Sequence, residues 1–113
     1  IESYKKAIGI KPDYHEAWNN LGIVYADLKN YEQAMETFQK AIEIKPDKEE
    51  AYFNIACTYS LEKNKEKALE YLQQAITLNP KYKEDAPKEK DFEWLWGDKD
   101  FLALINSTQE NVS

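Results

Sequence analysis

Pro12, Pro46 and Pro80 stand 34 residues apart (46 − 12 and 80 − 46). A fixed interval of this size constrains the fold more than any other feature of the chain. Units that repeat must stack, each covering an apolar face that its neighbour cannot bury alone. Other residues keep the same interval: Ala7, Ala41 and Ala75; Ile8, Ile42 and Ile76; Ile10, Ile44 and Leu78; Tyr4, Phe38 and Leu72. Residues 15–48 and 49–82 agree at 13 of 34 aligned positions, Glu16/Glu50, Asn20/Asn54, Tyr25/Tyr59 and Lys29/Lys63 among them. Ordinary composition gives about two agreements by chance.

The apolar spacing inside a unit is helical. Trp18, Leu21, Gly22 and Tyr25 fall at i, i+3, i+4 and i+7, and Ala34, Phe38, Ala41 and Ile42 follow the same rhythm. Each unit therefore reads as two helices. Asn30 with Gln33, Asp13 with Glu16 and Asp47 with Glu50 have the spacing of N-terminal capping pairs. Gly22, Ala34 and Ala41, with their counterparts Ala56, Ala68 and Ala75, are small enough for two helix backbones to approach closely, while Trp18 and Tyr52 fill the space beside them.

The set Trp18, Leu21, Gly22, Tyr25, Ala34, Phe38, Ala41 and Pro46 resembles the tetratricopeptide signature, and the resemblance covers about residues 1–82. The second unit substitutes Tyr52, Ile55, Ala56 and Leu72 for Trp, Leu, Gly and Phe. The resemblance implies an all-α, right-handed superhelix of antiparallel helix pairs that acts as a non-catalytic protein-binding module; the alternatives are a structural scaffold that assembles through its edges and a regulatory appendage of a larger enzyme. Residues 15–48 and 49–82 are the expected full repeats. Residues 1–14 match only a second helix with its connecting turn, so the chain reads as a piece of a longer protein whose uncovered N-terminal edge would favour self-association.

After Pro80 the pattern decays. Ala86 takes the place of Trp18 and Tyr52, and Pro87 disfavours helical geometry in the residue before it. Residues 83–105 are expected to form a degenerate repeat with capping helices, a stretch that mixes Phe92, Trp94, Leu95, Trp96 and Phe101 with many acids to give an apolar inner and a charged outer side; Trp94 and Trp96 read as core, with an aromatic binding surface as the alternative. Residues 106–113 lack apolar periodicity and are expected to fray.

Composition narrows the function. The formal charge of −6, from 15 Lys+Arg against 21 Asp+Glu, repels phosphate backbones and argues against a nucleic-acid partner. No run approaches a membrane span, and no signal peptide is visible. The single Cys57 has no second cysteine for a disulfide or a thiolate metal site, which suits a reducing, cytoplasmic setting. His15, the one histidine, lacks an evident nucleophile and reads as a solvated surface residue. Glu84, Asp85, Glu89, Asp91, Glu93, Asp98 and Asp100 lack the alternating spacing and central glycine of a calcium loop and read as a solvated cap. Asn106-Ser107-Thr108 and Asn111-Val112-Ser113 fit a glycosylation pattern short enough to arise by chance. No enzyme activity, metal or cofactor is expected.

The resemblance also implies a concave groove lined by the first helix of each unit. It assigns Glu16, Asn19, Asn20, Ile23 and Asp27 to that groove, and Glu50, Phe53, Asn54, Cys57 and Leu61 from the next unit. The amides could bond a peptide backbone, and Ile23, Phe53 and Leu61 could seat apolar anchors. Adaptors of the major chaperones clamp a C-terminal carboxylate at positions that here read Asn19, Ile23, Asn54, Glu84 and Lys88. Only Asn54 matches, and Glu84 replaces a cation, so acidic chaperone tails are not expected to bind tightly. Overall acidity instead favours encounter with basic segments.

Overall fold

The computed structural model describes residues 15–106. It comprises four long helices, α1 His15–Asp27, α2 Tyr31–Ile44, α3 Glu49–Leu61 and α4 Lys65–Leu78, then a one-turn helix α5 Tyr82–Asp85. Two 3₁₀ segments, Ala86–Lys88 and Lys90–Leu95, lead into the closing helix α6 Lys99–Asn106. No strand occurs among the described residues. α1 packs antiparallel on α2 and α3 on α4, with α2 against α3 joining the two hairpins. The expected half unit at 1–14 and the frayed residues 107–113 lie outside the described residues; Asn106, assigned to the tail from sequence, is the last residue of α6.

The small residues set the distance between helices. Ala34, Ala41, Ala56, Ala68 and Ala75 are 0–2% exposed. Gly22 has a sharper role: a Cβ there would sit 2.4 Å from Cε1 of Phe38, a ring that is itself 1% exposed. Glycine at 22 and phenylalanine at 38 are thus one packing decision. In the second hairpin Ala56 and Leu72 occupy the equivalent places in the same core, a larger residue matched by a smaller one.

The turns inside both hairpins are identical in kind. Asn30 N–H donates to Tyr25 C=O (2.8 Å) and Lys29 N–H to Ala26 C=O (2.9 Å); Asn64 to Tyr59 and Lys63 to Ser60 repeat this at 2.9 Å each. This double closure needs a left-handed residue, which Lys29 and Lys63 supply at φ 64°. Asn64 then caps α4 by accepting from Lys67 N–H (3.2 Å). Asn30 stands at the equivalent position but bonds the Gln33 side chain and no backbone N–H. Nor is Asp47 the cap of α3: that helix starts one residue later, after Lys48, which makes no side-chain cap. Every long helix nonetheless carries an acid in its first turn, favourable beside the exposed N–H groups. Pro46 and Pro80 follow residues held out of helical geometry, Lys45 at φ −139°, ψ 80° and Asn79 at φ −150°, ψ 99°, which stops α2 and α4.

The third unit degenerates in a specific way. Ala86 keeps right-handed helical geometry (φ −58°, ψ −43°) although Pro87 follows, so α5 runs directly into a 3₁₀ turn rather than ending in extended chain. Ala86, Phe92, Leu95 and Phe101 are 0–1% exposed and share one core with Ala56, Cys57, Ala68, Leu72 and Ile76. Ser60, fully buried, docks these turns on α3: it donates to Asp91 C=O (2.6 Å) and accepts from Trp94 Nε1 (2.7 Å). The first hairpin has Ala26 at this place, 34 residues earlier. At the far end Asp98 Oδ1 accepts from Asp100 N–H (2.8 Å) and Phe101 N–H (3.2 Å), starting α6, while its Oδ2 meets Lys65 Nζ at 2.8 Å. That lysine holds the Asp98 carboxyl below its ordinary range, helped by the two backbone donors.

Candidate binding groove

α1 and α3 supply the face assigned from sequence. Glu16, Asn20, Asp27 and Glu50 are exposed there, and Ile23 is an exposed large apolar residue at 38%. Asn19 and Cys57 are almost fully buried, at 8% each. Asn54 donates from Nδ2 to Asn19 Oδ1 at 2.9 Å, so these two amides tie the hairpins together. Phe53 is no free anchor. Its ring stacks on Tyr82 at 4.4 Å between centroids and meets the edge of Phe92 at 5.8 Å.

Six of the ten assigned residues, Ile23, Asp27, Phe53, Asn54, Cys57 and Leu61, converge on one cavity of about 320 Å³. Glu16, Asn19, Asn20 and Glu50 lie outside it. Five residues not assigned to the groove from sequence complete it: Ala26, Phe38 and Thr58 from the long helices, and Glu89 and Asp91 from the turns that fold over α3. A signal for Asp91 existed, since it stands 34 residues beyond Cys57 and 68 beyond Ile23. It was obscured because the helical rhythm around it is lost. Asp91 is half-buried, not a solvated cap residue.

The electrostatics of the cavity are one-sided. Burial raises the Asp91 carboxyl above its ordinary range, and the charges of Glu89 and Asp27 raise it further. Burial likewise pushes the Cys57 thiol well up, with Glu89 and Asp91 adding to the effect. A thiol so held stays protonated, the opposite of what a nucleophile needs. Beside the cavity, Tyr82 is pushed up to about 12 by burial and then by Glu49, Glu50, Asp85 and Cys57. His15 is half-buried rather than solvated, its Nε2 without a hydrogen-bond partner among the described residues, and it takes no part in this cavity. The arrangement offers a mostly apolar wall beside negative charge.

Helical pairs on a 34-residue period find their counterpart in known proteins. The sequence profile described as tetratricopeptide repeat matches residues 13–81. The chain belongs to the tetratricopeptide-repeat family. Such repeats are generally protein-interaction modules. Among solved structures, a crystal structure of MamA protein is 29% identical with a TM-score of 0.65, covering 71% of this chain and 44% of that one. A second MamA crystal structure is 28% identical with the same TM-score, covering 74% and 48%. The tetratricopeptide chain thus spans under half the length of these MamA chains. No curated protein sequence matches it. None of its described helices is long and apolar enough to cross a membrane.

Proposed function

We propose that the chain is a non-catalytic recognition module that holds a segment of another protein along the face formed by α1 and α3. The observation that carries this reading is the cavity at the end of that face. It gathers Ile23, Cys57 and Asp91, the same position of three successive units, into a concave surface with an exposed apolar residue at its edge. Asn20 and the exposed acids Glu16 and Glu50 extend the polar rim, where amides bond a peptide backbone of any sequence. The family's general use in protein interaction fits this role. A cytoplasmic setting suits it, because the free Cys57 persists where thiols stay reduced.

The test is affinity capture from the source lysate with three proteins of equal helicity: the native chain, a groove variant Asn20→Ala/Ile23→Glu, and a control Lys40→Glu on the exposed side of α2. Partners captured by the native chain and the control but lost from the groove variant support the reading. Partners retained by all three would move recognition to another surface, and a concentration-dependent mass in light scattering would point to assembly through the edges of the solenoid.

A further inference from the structure

The cavity at the capped end of the groove holds three carboxylates, and no Lys or His is among the residues that line it. Oxygen atoms of Glu89 and Asp91 and the Cys57 Sγ all lie within 4.8 Å of one another. The thiol is only 8% exposed, points into the cavity, and makes no hydrogen bond to another side chain among the described residues. Nearby lysines are engaged elsewhere. Lys63 Nζ lies 4.9 Å from the centroid of Trp94, and Lys65 reaches Asp98 and Asp100 at 2.8 and 2.9 Å. Lys88 and Lys90 flank Glu89 in sequence but are exposed and do not line the cavity.

Half-buried carboxylates that face one another without a cation destabilise the folded chain, because each loses solvent and gains a like charge. The rest of the wall is mostly apolar, from Ile23, Ala26, Phe38, Phe53 and Leu61, with Asn54 and Thr58 between them. Apolar wall and unbalanced acid together match a long side chain with a methylene stem and a cationic head. The volume, about 320 Å³, is at the lower end for ligand pockets and suits one such side chain better than a whole small molecule.

Resting on the groove reading above, we propose that this cavity is the subsite for one basic side chain, lysine or arginine, of the bound segment. The stem lies along Ile23, Phe53 and Leu61. The head reaches Glu89 and Asp91, with the exposed Asp27 adding attraction beside them. The capping turns are therefore part of the recognition surface, and they set its selectivity for positive charge.

The probe is a displayed library of random nonapeptides, selected separately on the native chain and on Glu89→Gln/Asp91→Asn. Native selections are expected to fix Lys or Arg at one position, and selections on the variant to lose that preference. For a selected peptide, changing the basic residue to norleucine should weaken binding to the native chain at least tenfold and binding to the variant little. The variant should also unfold at a higher temperature, since it loses repulsion, which separates lost recognition from lost folding. Peptides selected with no basic preference, yet dependent on Ile23, would overturn the subsite and leave the groove reading standing. A library that yields no binder, or binders indifferent to Ile23→Glu, would overturn both. Two further results would reassign the cavity and so overturn the proposal: micromolar Zn²⁺ binding abolished by Cys57→Ser, or a dimer of the native chain abolished by Glu89→Gln/Asp91→Asn.

Discussion

Gly22 and Phe38 show how a single atom decides the spacing of a helix pair. The Cβ of an alanine at 22 would overlap an almost fully buried ring, so Gly22→Ala is expected to cost about 1–3 kcal/mol in urea unfolding despite the better helix propensity of alanine. Adding Phe38→Leu recreates the pairing of the second hairpin and should recover most of that loss. A double variant no more stable than the sum of the singles would show that the two sites are uncoupled. Tyr82 carries a pH-dependent contribution. Its hydroxyl is held near 12 in the folded chain against an ordinary 10.0, so the folded state binds the proton more tightly. The associated stability is complete below pH 10 and is lost as pH rises toward 12. Other tyrosines and the lysines titrate in the same window, so the measurement is the difference between native and Tyr82→Phe unfolding midpoints. That difference should shift in favour of Tyr82→Phe as pH rises from 9 to 11.5, while the ring stacked on Phe53 is kept.

Among the elements, the two hairpin turns are built alike but surrounded differently. Lys29 and Lys63 both adopt a left-handed conformation that costs a side-chain-bearing residue about 1 kcal/mol relative to glycine. Lys29→Gly should therefore stabilise the chain by about that amount. Lys63→Gly should gain less, because Lys63 also lies over Trp94 and a cation–π contact at an exposed site contributes about 0.5–1 kcal/mol. Chemical denaturation of both variants checks the ordering; equal gains would remove the Lys63–Trp94 contact from the account. The repeat period located these turns, since Lys29 and Lys63 share a register, but nothing in the local sequence marks a lysine as left-handed where glycine is usual. Helix starts were less legible. Asn64 caps as its type suggests, whereas Asn30, identical in position, turns to Gln33, and α3 begins without an Asp47 cap.

Across the whole molecule, the second hairpin and the capping turns form one unit. Phe92 touches Phe53 and lies 5.9 Å from Phe101 between ring centroids, within a core that spans α3, α4, the 3₁₀ turns and α6. Phe92→Ala should cost about 3–5 kcal/mol, as much as a truncation inside a full repeat. It should lower one shared unfolding transition, followed by helical circular dichroism and tryptophan fluorescence together. Separate transitions, with the helical signal unmoved, would show that the cap folds independently. The same integration explains the site. The helical register of Phe53 and Asn54 was legible, but their engagement with Tyr82, Phe92 and Asn19 arises from packing between units and has no local signature.

The sequence by itself determined the architecture, because a 34-residue period, helical spacing, small residues at fixed places and prolines after each unit all favour the same stacked hairpins. It also located the face to which Ile23, Asn54 and Cys57 belong. Only the tertiary structure decided which side chains meet. Ser60 bonds the chain at Asp91, Glu89 and Asp91 close the groove beside Cys57, and Trp94 is fixed by a residue 34 positions away. Periodicity reports the direction in which a residue points along its own helix. The cap is built of short 3₁₀ turns without a sustained period, so its contacts follow from how apolar residues fill the end of the core.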